Sequence, residues 1–255
     1  MPVQKHDMAL IDRIDIPAAL GLLTRLPVKI DSEKALARGA QSAWAYPLAG
    51  VIVALIVAVS GAVLTAFGLP SALAAALMLA VGVIITGAMH EDGLADCADG
   101  FWGGWDRARR LEIMKDSSVG VYGVIALGLG LLLRWQALIL LLDAGGYWAA
   151  LAAVAATSRA SMVVLMNRLP NPRAGGLSHS VGRPSTQATW LAIGIAAVIC
   201  LFVGHLGIVI WVAAGCTLCA ALSHRKIGGQ TGDVLGATQQ ITEIIALCVI
   251  AVGLT

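Results

Sequence analysis

Apolar runs of about twenty residues, several without any charge, recur along the chain and constrain its fold more than any other feature. The first two lie at residues 46–68 and 71–89, with only a short turn at Pro70 between them. A helix of about 20 apolar residues crosses a hydrocarbon core of about 30 Å, and the alternating pattern of a barrel strand is absent. These runs therefore predict membrane-spanning helices.

We predict seven such spans. They lie at residues 46–68, 71–89, 119–142, 147–166, 188–203, 206–222 and 237–253. Only 13% of the residues are charged, against about 25% in an ordinary soluble domain. The expected fold is an all-α, polytopic membrane helical bundle that forms one domain over residues 1–255. In it, an interfacial segment at 1–44 precedes the bundle at 45–255.

The distribution of basic residues predicts the orientation of the bundle. Fifteen of the 17 Lys and Arg residues precede span one or lie in the loops after spans two, four and six, and the opposite loops have none. This asymmetry is typical of cytoplasmic loops, so we expect the amino terminus and all long loops on the cytoplasmic side and the carboxyl terminus outside. A net charge of +2, scattered over loops, does not suggest a nucleic-acid partner. The sequence leaves homo-oligomer formation open.

Two arginines lie within predicted spans. Arg134 is about eight residues from the outer end of its span, so snorkelling to that interface and a functional role are both open. Arg159 lies roughly 13 Å from the cytoplasmic end of its span, at about 1.5 Å per residue. A cation at that depth usually faces a polar cavity and an anionic partner. We therefore predict that Arg159 binds substrate and pairs with Glu243 in span seven.

The second span ends in an acidic segment, H-E-D-G-L-A-D-C-A-D-G, at residues 90–100. On a helix, Asp92, Asp96 and Asp99 fall on one face and repel one another. A divalent cation would remove that repulsion, and hard oxygen ligands suit Mg²⁺ or Mn²⁺ better than Zn²⁺. A solvated acidic loop is the alternative, disfavoured because the uncharged run at 73–88 places the carboxylates at a membrane boundary. We predict a magnesium site at these three aspartates.

A glycine-rich segment, R-K-I-G-G-Q-T-G-D-V-L-G, follows span six at residues 225–236. Its glycines allow backbone N–H groups to turn towards an anion, and Asp233 can add a metal ligand. It is not a Walker loop, because no Lys-Ser/Thr pair follows the last glycine. Alone it would be read as a helix connection. Beside the acidic segment it predicts substrate contacts at Gly228, Gly229, Thr231 and Gly232.

The segment before span three offers a further anion site. Lys115, Asp116 and Ser117 combine a cation, a carboxylate and a hydroxyl, and residues 116–118 are also expected to cap the helix that follows. The loop at 167–187, with Gly-Gly between Arg173 and Arg183, is another possible phosphate or sugar contact. A lone histidine such as His179 is more often a surface residue.

Together, a divalent metal, anion-binding amides and cations on one side of the membrane suit displacement at a phosphorus centre. Composition alone leaves three classes open: a phosphotransferase that acts on an alcohol, a prenyltransferase that ionises a diphosphate, and a cation transporter.

The motifs resemble those of the cobalamin synthase family, the adenosylcobinamide-GDP ribazoletransferases. Residues 90–100 are similar to its H-x-D-G-x-A-D-x-x-D-G signature, and 111–123 and 228–243 resemble two further blocks in the expected order. T-R-L-P-V at 24–28 and Y-P-L-A-G at 46–50 resemble its amino-terminal landmarks. The resemblance covers about residues 20–250. The loop at 167–187 matches least, so no role is transferred to it.

This resemblance implies that a ribose hydroxyl of α-ribazole, or of its 5′-phosphate, attacks the cobinamide-linked phosphorus of adenosylcobinamide-GDP. GMP leaves, and the nucleotide loop of cobalamin is closed. Asp92, Asp96 and Asp99 would hold Mg²⁺ on the diphosphate, and Asp233 would complete the metal shell or accept the hydroxyl proton. His90 is a second candidate base, ranked lower because on a helix it points away from the acidic face. So bulky a corrinoid requires a wide cavity facing the cytoplasm.

Two alternatives fit the sequence less well. A CDP-alcohol phosphotransferase has the pattern D-G-x-x-A-R-x8-G-x3-D-x3-D, but here Asp96 follows Ala95 where that pattern has arginine. A divalent-cation transporter would need carboxylates near the membrane midplane, whereas these gather at one interface.

Overall fold

The computed structural model describes residues 9–254, and all regular elements in that range are helical. The first eight residues of the predicted interfacial segment lie outside the described residues. The short helices are α1 (Asp15–Leu23), α2 (Ser32–Arg38), a 3₁₀ segment (Gly39–Ala45), α6 (Arg107–Ile113) and α9 (Leu177–Val181). The long helices are α3 (Tyr46–Ala66), α4 (Ser71–Thr86), α5 (Met89–Gly103), α7 (Val121–Ala144), α8 (Tyr147–Arg168), α10 (Thr186–Phe202), α11 (Ile208–Ile227) and α12 (Gly232–Val252).

A helix occupies each of the seven predicted spans, with small shifts at the ends, and the all-α membrane bundle is confirmed. Among residues 9–254, five helices are long and apolar enough to cross a membrane: α7, α8, α11, α12 and the run Ser32–Ala66 that ends with α3. Counted together as one bent span, α4 and α5 would raise the number to six, while α10 is apolar but shorter. The count of seven and the cytoplasmic amino terminus remain predictions.

Helix α8 lies at the centre of the bundle, packed against α3, α10 and α12. Most of its side chains are buried, and many are alanine or serine. Small residues allow helix backbones to approach closely in apolar surroundings. At the contact with α3, a Cβ on Gly50 would lie 2.6 Å from the carbonyl oxygen of Ala155, so this contact requires glycine.

The chain turns by 89° between α4 and α5, so the second predicted span, at residues 71–89, ends at Thr86 and not at Met89. Gly87 and Ala88 have φ angles of +64° and +58°, a conformation that residues with side chains seldom adopt. The backbone N–H of Arg25 donates to the carbonyl of Ile85 at 2.6 Å, and the Arg25 side chain covers Gly87 closely. The T-R-L-P segment therefore stabilises the break, and the acidic residues form a helix of their own.

The amino-terminal segment is folded onto the bundle through a buried carboxylate. Asp15 accepts hydrogen bonds from Arg38 Nε and from Trp44 Nε1, both at 2.7 Å, which joins α1 to the 3₁₀ segment. Pairing and full hydrogen bonding are what make a buried charge tolerable. Leu22 and Leu23 of α1 then form part of the wall of a cleft at this end of the bundle.

Candidate functional site

Helices α5 and α12 approach closely enough to bring the acidic segment against the glycine-rich loop. A Cβ on Gly93 would lie 2.6 Å from the backbone oxygen of Asp233, and one on Gly236 would lie 3.1 Å from the backbone oxygen of Met89. Glycine at both positions removes the side chains that would hold the helices apart. The two segments that were expected to form one site are therefore in contact.

A cleft with an empty volume of about 720 Å³ opens beside this contact, between α1, α5, α8, α9 and α12. Its polar lining includes His90, Asp92, Arg173, Ser178, Gly232 and Asp233. Three of the predicted catalytic and metal-binding residues, His90, Asp92 and Asp233, thus line one cavity. Asp96 is half-buried, and its carboxylate is close enough to feel the charges of Asp233, Asp92 and Asp99.

Carboxylates in and beside the cleft suit a hard divalent cation. Within residues 9–254, no hydrogen bond is donated to the carboxylates of Asp92 and Asp96, so their oxygens are free to bind a cation. No three His, Cys, Asp or Glu side chains in that range converge on one point as a complete cage would require. Mg²⁺ is usually held by one or two carboxylates together with substrate phosphates, so such a cage is not needed.

Asp99 binds backbone N–H groups at the amino end of α7. Its two carboxylate oxygens accept hydrogen bonds from the backbone N–H groups of Gly120, at 2.7 Å, and Gly123, at 2.9 Å. A Cβ on either glycine would overlap the carboxylate, which accounts for the G-V-Y-G sequence. Asp99 is 9% exposed and does not line the cleft. Its carboxylate stabilises the first turn of α7 by binding orphan N–H groups at the positive end of the helix dipole.

The expectation that residues 116–118 cap this helix is wrong. Gly120 occupies the N-cap position, and Asp116 instead accepts hydrogen bonds from the backbone N–H and the hydroxyl of Ser118, both at 3.0 Å. These bonds, the backbone one first, lower the pKa of Asp116, which lies in an exposed loop. Lys115, Asp116 and Ser117 do not line the cleft, and their contact with substrate stays a prediction.

The glycine-rich loop connects α11 to α12 and begins the wall of the cleft. Gly228 ends α11 with a φ of +76° and lies against the side chain of Arg107. Gly229 packs so closely on the carbonyl of Pro170 that no side chain fits. Thr231 caps α12, its hydroxyl accepting from the backbone N–H of Val234 at 3.3 Å. The first N–H groups of α12 are thereby held at the cleft beside Gly232, as anion binding requires.

The loop at 167–187, which the sequence matched least, completes the site. Arg173 Nη2 pairs with Asp233 Oδ2 at 3.2 Å, and the hydroxyl of Thr231 donates to the same oxygen at 3.0 Å. Buried Gln230 fastens the loop, accepting from Ser178 at 2.7 Å and donating to Asn171 at 3.0 Å. The sequence signal for Arg173 was its position beside Gly-Gly, but its partner is 60 residues away.

Arg159 pairs with Glu243 at 3.1 Å, as expected. The sequence did not predict the ion pairs and hydrogen bonds that surround this pair. Arg134 binds Glu91 at 2.8 Å and Glu243 at 3.0 Å, and Gln240 donates to Glu91 at 3.1 Å. Arg134 is only 6% exposed, so the snorkelling alternative is wrong. Two guanidinium groups and two carboxylates balance in the interior, which is how charges at membrane depth are usually accommodated.

Comparison with known proteins supports one family over nearly the whole chain. Residues 15–251 match the family described as cobalamin-5-phosphate synthase. Relatives named adenosylcobinamide-GDP ribazoletransferase occur in Mesorhizobium japonicum, Sinorhizobium medicae and Bradyrhizobium diazoefficiens, at 43%, 40% and 42% identity. The matched segment covers 94%, 94% and 93% of this chain and 94%, 97% and 93% of the respective relatives. No solved structure matches.

Proposed function

The chain belongs to the cobalamin-5-phosphate synthase family, and we propose that it joins α-ribazole, or its 5′-phosphate, to adenosylcobinamide-GDP with release of GMP. The product would be adenosylcobalamin or its 5′-phosphate. The observation that carries this proposal is that the family's three motif blocks meet in the fold. The acidic helix and the glycine-rich loop form one cleft, and the block before α7 is joined to the acidic helix through Asp99.

In the proposed reaction, the ribose hydroxyl oxygen forms a bond to the cobinamide-linked phosphorus. The bond from that phosphorus to the bridging diphosphate oxygen breaks, and GMP leaves. The hydroxyl proton passes to a base in the cleft. We assign Asp233 as the first candidate because it lies at the amino end of α12 and is held by Arg173 and Thr231. His90, buried in the cleft wall, is the second candidate.

The anionic diphosphate would be bound by groups at the other edge of the cleft. The guanidinium of Arg173 offers paired N–H donors that match phosphate oxygens. The first N–H groups of α12, near Thr231 and Gly232, add backbone donors at the positive end of a helix. Because Arg173 already contacts Asp233, its binding to phosphate would also leave that carboxylate freer to accept a proton.

We further propose that the enzyme depends on Mg²⁺ and that Asp92, Asp96 and Asp233 contribute carboxylate ligands alongside the substrate's phosphates, with Asp99 in a supporting role. Bound Mg²⁺ withdraws charge from the phosphoryl group and stabilises the leaving phosphate. Asp92 and Asp96 have free oxygens, while Asp99 has two of its roughly four lone-pair sites occupied by α7. Asp99 would therefore act chiefly by fixing α7 against the acidic helix.

The proposed location is the bacterial inner membrane, with the cleft facing the cytoplasm. The support is the positive-inside distribution of basic residues. Arg173 lines the cleft, and Arg110 on α6 donates a hydrogen bond to the carbonyl of Lys226 near the end of α11.

The test is conversion of adenosylcobinamide-GDP and α-ribazole to a cobalamin by the purified full-length protein in lipid nanodiscs. Product mass and GMP release are measured with Mg²⁺ and with a chelator. We expect one GMP per cobalamin, and no turnover once Mg²⁺ is removed. Absence of product with Mg²⁺ present would refute the proposed activity. Full activity in chelator would refute the metal dependence alone.

A further inference from the structure

A second cavity lies deeper in the bundle, directly behind the cleft. It has an empty volume of about 570 Å³ and is bounded by α3, α4, α5, α7, α8 and α12. His90 lines both this inner cavity and the cleft, and it is only 1% exposed. The imidazole therefore stands at the junction of the two spaces.

The inner cavity is polar at the end near the cleft and apolar beyond it. Its polar end is formed by Glu91, Arg134, Arg159, Gln240 and Glu243. Residues four positions apart share a helix face and lie about 6 Å apart along the axis. Four positions further from the cleft, each helix has an apolar residue in place of its charged one. These residues are Leu138 on α7, Leu247 on α12 and Ala155 on α8, and all three line the cavity. A second step on α8 reaches Leu151.

Several buried polar atoms at this junction have no partner among residues 9–254. They are both ring nitrogens of His90, Oε2 of Glu91 and Nε of Arg134. Buried donors and acceptors are nearly always hydrogen-bonded, because leaving one unpaired is costly. Since the surrounding ion pairs are otherwise complete, these atoms are available to a polar group that enters from the cleft.

We propose that the inner cavity receives the flat two-ring base of the ribazole substrate. The dimethylated edge would lie against the apolar floor, and the ring nitrogen that is not bonded to ribose would accept a hydrogen bond at the polar end. The ribose would remain beside His90, which leaves its hydroxyl in the cleft with Asp233. This inference rests on the proposed function and adds the place where the acceptor substrate binds.

The cavity's shape and chemistry support this substrate over the other. The depth of one to two helical steps, roughly 6 to 12 Å, suits two fused rings. Six helices enclose this cavity, which leaves no room for a bulky corrinoid, whereas an apolar floor with polar groups at one end is typical of small-ligand sites. The paired charges at the entrance are neutral overall and offer a diphosphate no excess of positive charge, whereas Arg173 and the amino end of α12 in the cleft do.

The experiment fills the apolar floor and measures each substrate separately. Ala54 is buried and lines the cavity on α3, whereas Ala66 is exposed on the same helix. We expect Ala54→Leu to raise the KM for α-ribazole at least tenfold and to leave the KM for adenosylcobinamide-GDP unchanged. Ala66→Leu should change neither. A larger KM for adenosylcobinamide-GDP alone, or no change in either KM, would overturn the proposal.

The preference for a methylated base, measured in the wild type and in Val57→Ala, tests the apolar floor independently. The wild type should use α-ribazole with a kcat/KM about 15-fold above that of the riboside of unsubstituted benzimidazole, at about fourfold per buried methyl group. Val57→Ala, which widens the floor, should reduce this preference. If Ala54→Leu does not fold, an unchanged preference in Val57→Ala overturns the proposal by itself.

Equilibrium dialysis separates this inference from the proposed function. α-Ribazole alone is dialysed against the full-length wild type and the Ala54→Leu variant in nanodiscs. Binding to the wild type that weakens at least tenfold in the variant supports the base pocket even if no cobalamin is formed, in which case only the proposed function fails. Turnover by the wild type with equal binding by both proteins overturns the pocket and leaves the function standing.

Discussion

Replacing Arg134 by methionine should destabilise the bundle strongly, because it leaves a buried charge without its counter-ion. Arg134 binds Glu91 at 2.8 Å and Glu243 at 3.0 Å. In the variant, Glu243 keeps its pair with Arg159 at 3.1 Å, while Glu91 keeps only the amide of Gln240. The network changes from neutral to a net charge of −1. Breaking a buried pair in this way costs about 3–5 kcal/mol.

A compensating variant tests whether charge balance is the cause. Adding Glu91→Gln to Arg134→Met restores neutrality, because Glu243 and Arg159 still pair. We expect the double variant to recover at least half of the lost free energy of unfolding, a clear departure from additivity. Unfolding would be followed in mixed micelles of dodecyl maltoside and SDS, with tryptophan fluorescence as the signal.

The matched control is Arg109→Met. Arg109 pairs with Glu112 at a similar distance, 2.8 Å, but both side chains are exposed. Surface pairs contribute about 1 kcal/mol or less. If Arg134→Met cost no more than Arg109→Met, or if the double variant were as unstable as the sum of its single changes, the buried network would not have the role argued here.

Three further predictions concern the cap on α7, the contact between α5 and α12, and the topology. Asp99→Asn should lower thermal stability as well as turnover, because it weakens the cap on α7. Asp92→Asn should lower turnover and leave the melting temperature unchanged. Equal melting temperatures for the two variants would contradict the capping role. Gly93→Ala should lower the free energy of unfolding by about 1–3 kcal/mol, because the added methyl group pushes α5 away from α12. An unfolding midpoint equal to that of wild type would argue against their close contact. Cysteines placed at Gly145 and Gly232 should react with an impermeant reagent from opposite sides of the membrane, and labelling of both from one side would contradict the predicted topology.

The sequence predicted the helices well because each rests on local information. A run of apolar residues fixes a span without reference to the remainder of the chain, and the acidic segment was correctly expected to be helical. The break before α5 was missed because Ala88 adopts a left-handed conformation for which alanine gives no signal. That conformation is supported from a distance by Arg25, which docks on the end of α4.

The site was predicted less completely, because its missing parts are partners distant in sequence. Asp99 caps a helix that begins more than 20 residues later, and Arg134 meets Glu91 from 43 residues away. Nothing in the spacing of these residues indicates their contact. Arg159 and Glu243 could be paired from the sequence only because few charges lie within the spans. Arg173 was named as a candidate phosphate contact, but its carboxylate partner could not be identified.

The most direct test of the central claim is the Mg²⁺ dependence of turnover in Asp92→Asn, Asp233→Asn and the double variant. If both carboxylates act on one metal and one phosphorus centre in the cleft, each single change should lower kcat by about 100-fold or more and alter the Mg²⁺ concentration for half-maximal rate. The double variant should then lose little more, because groups that act as a unit are strongly non-additive. Single variants that keep the wild-type Mg²⁺ dependence, with losses that simply multiply in the double variant, would contradict a shared site in this cleft.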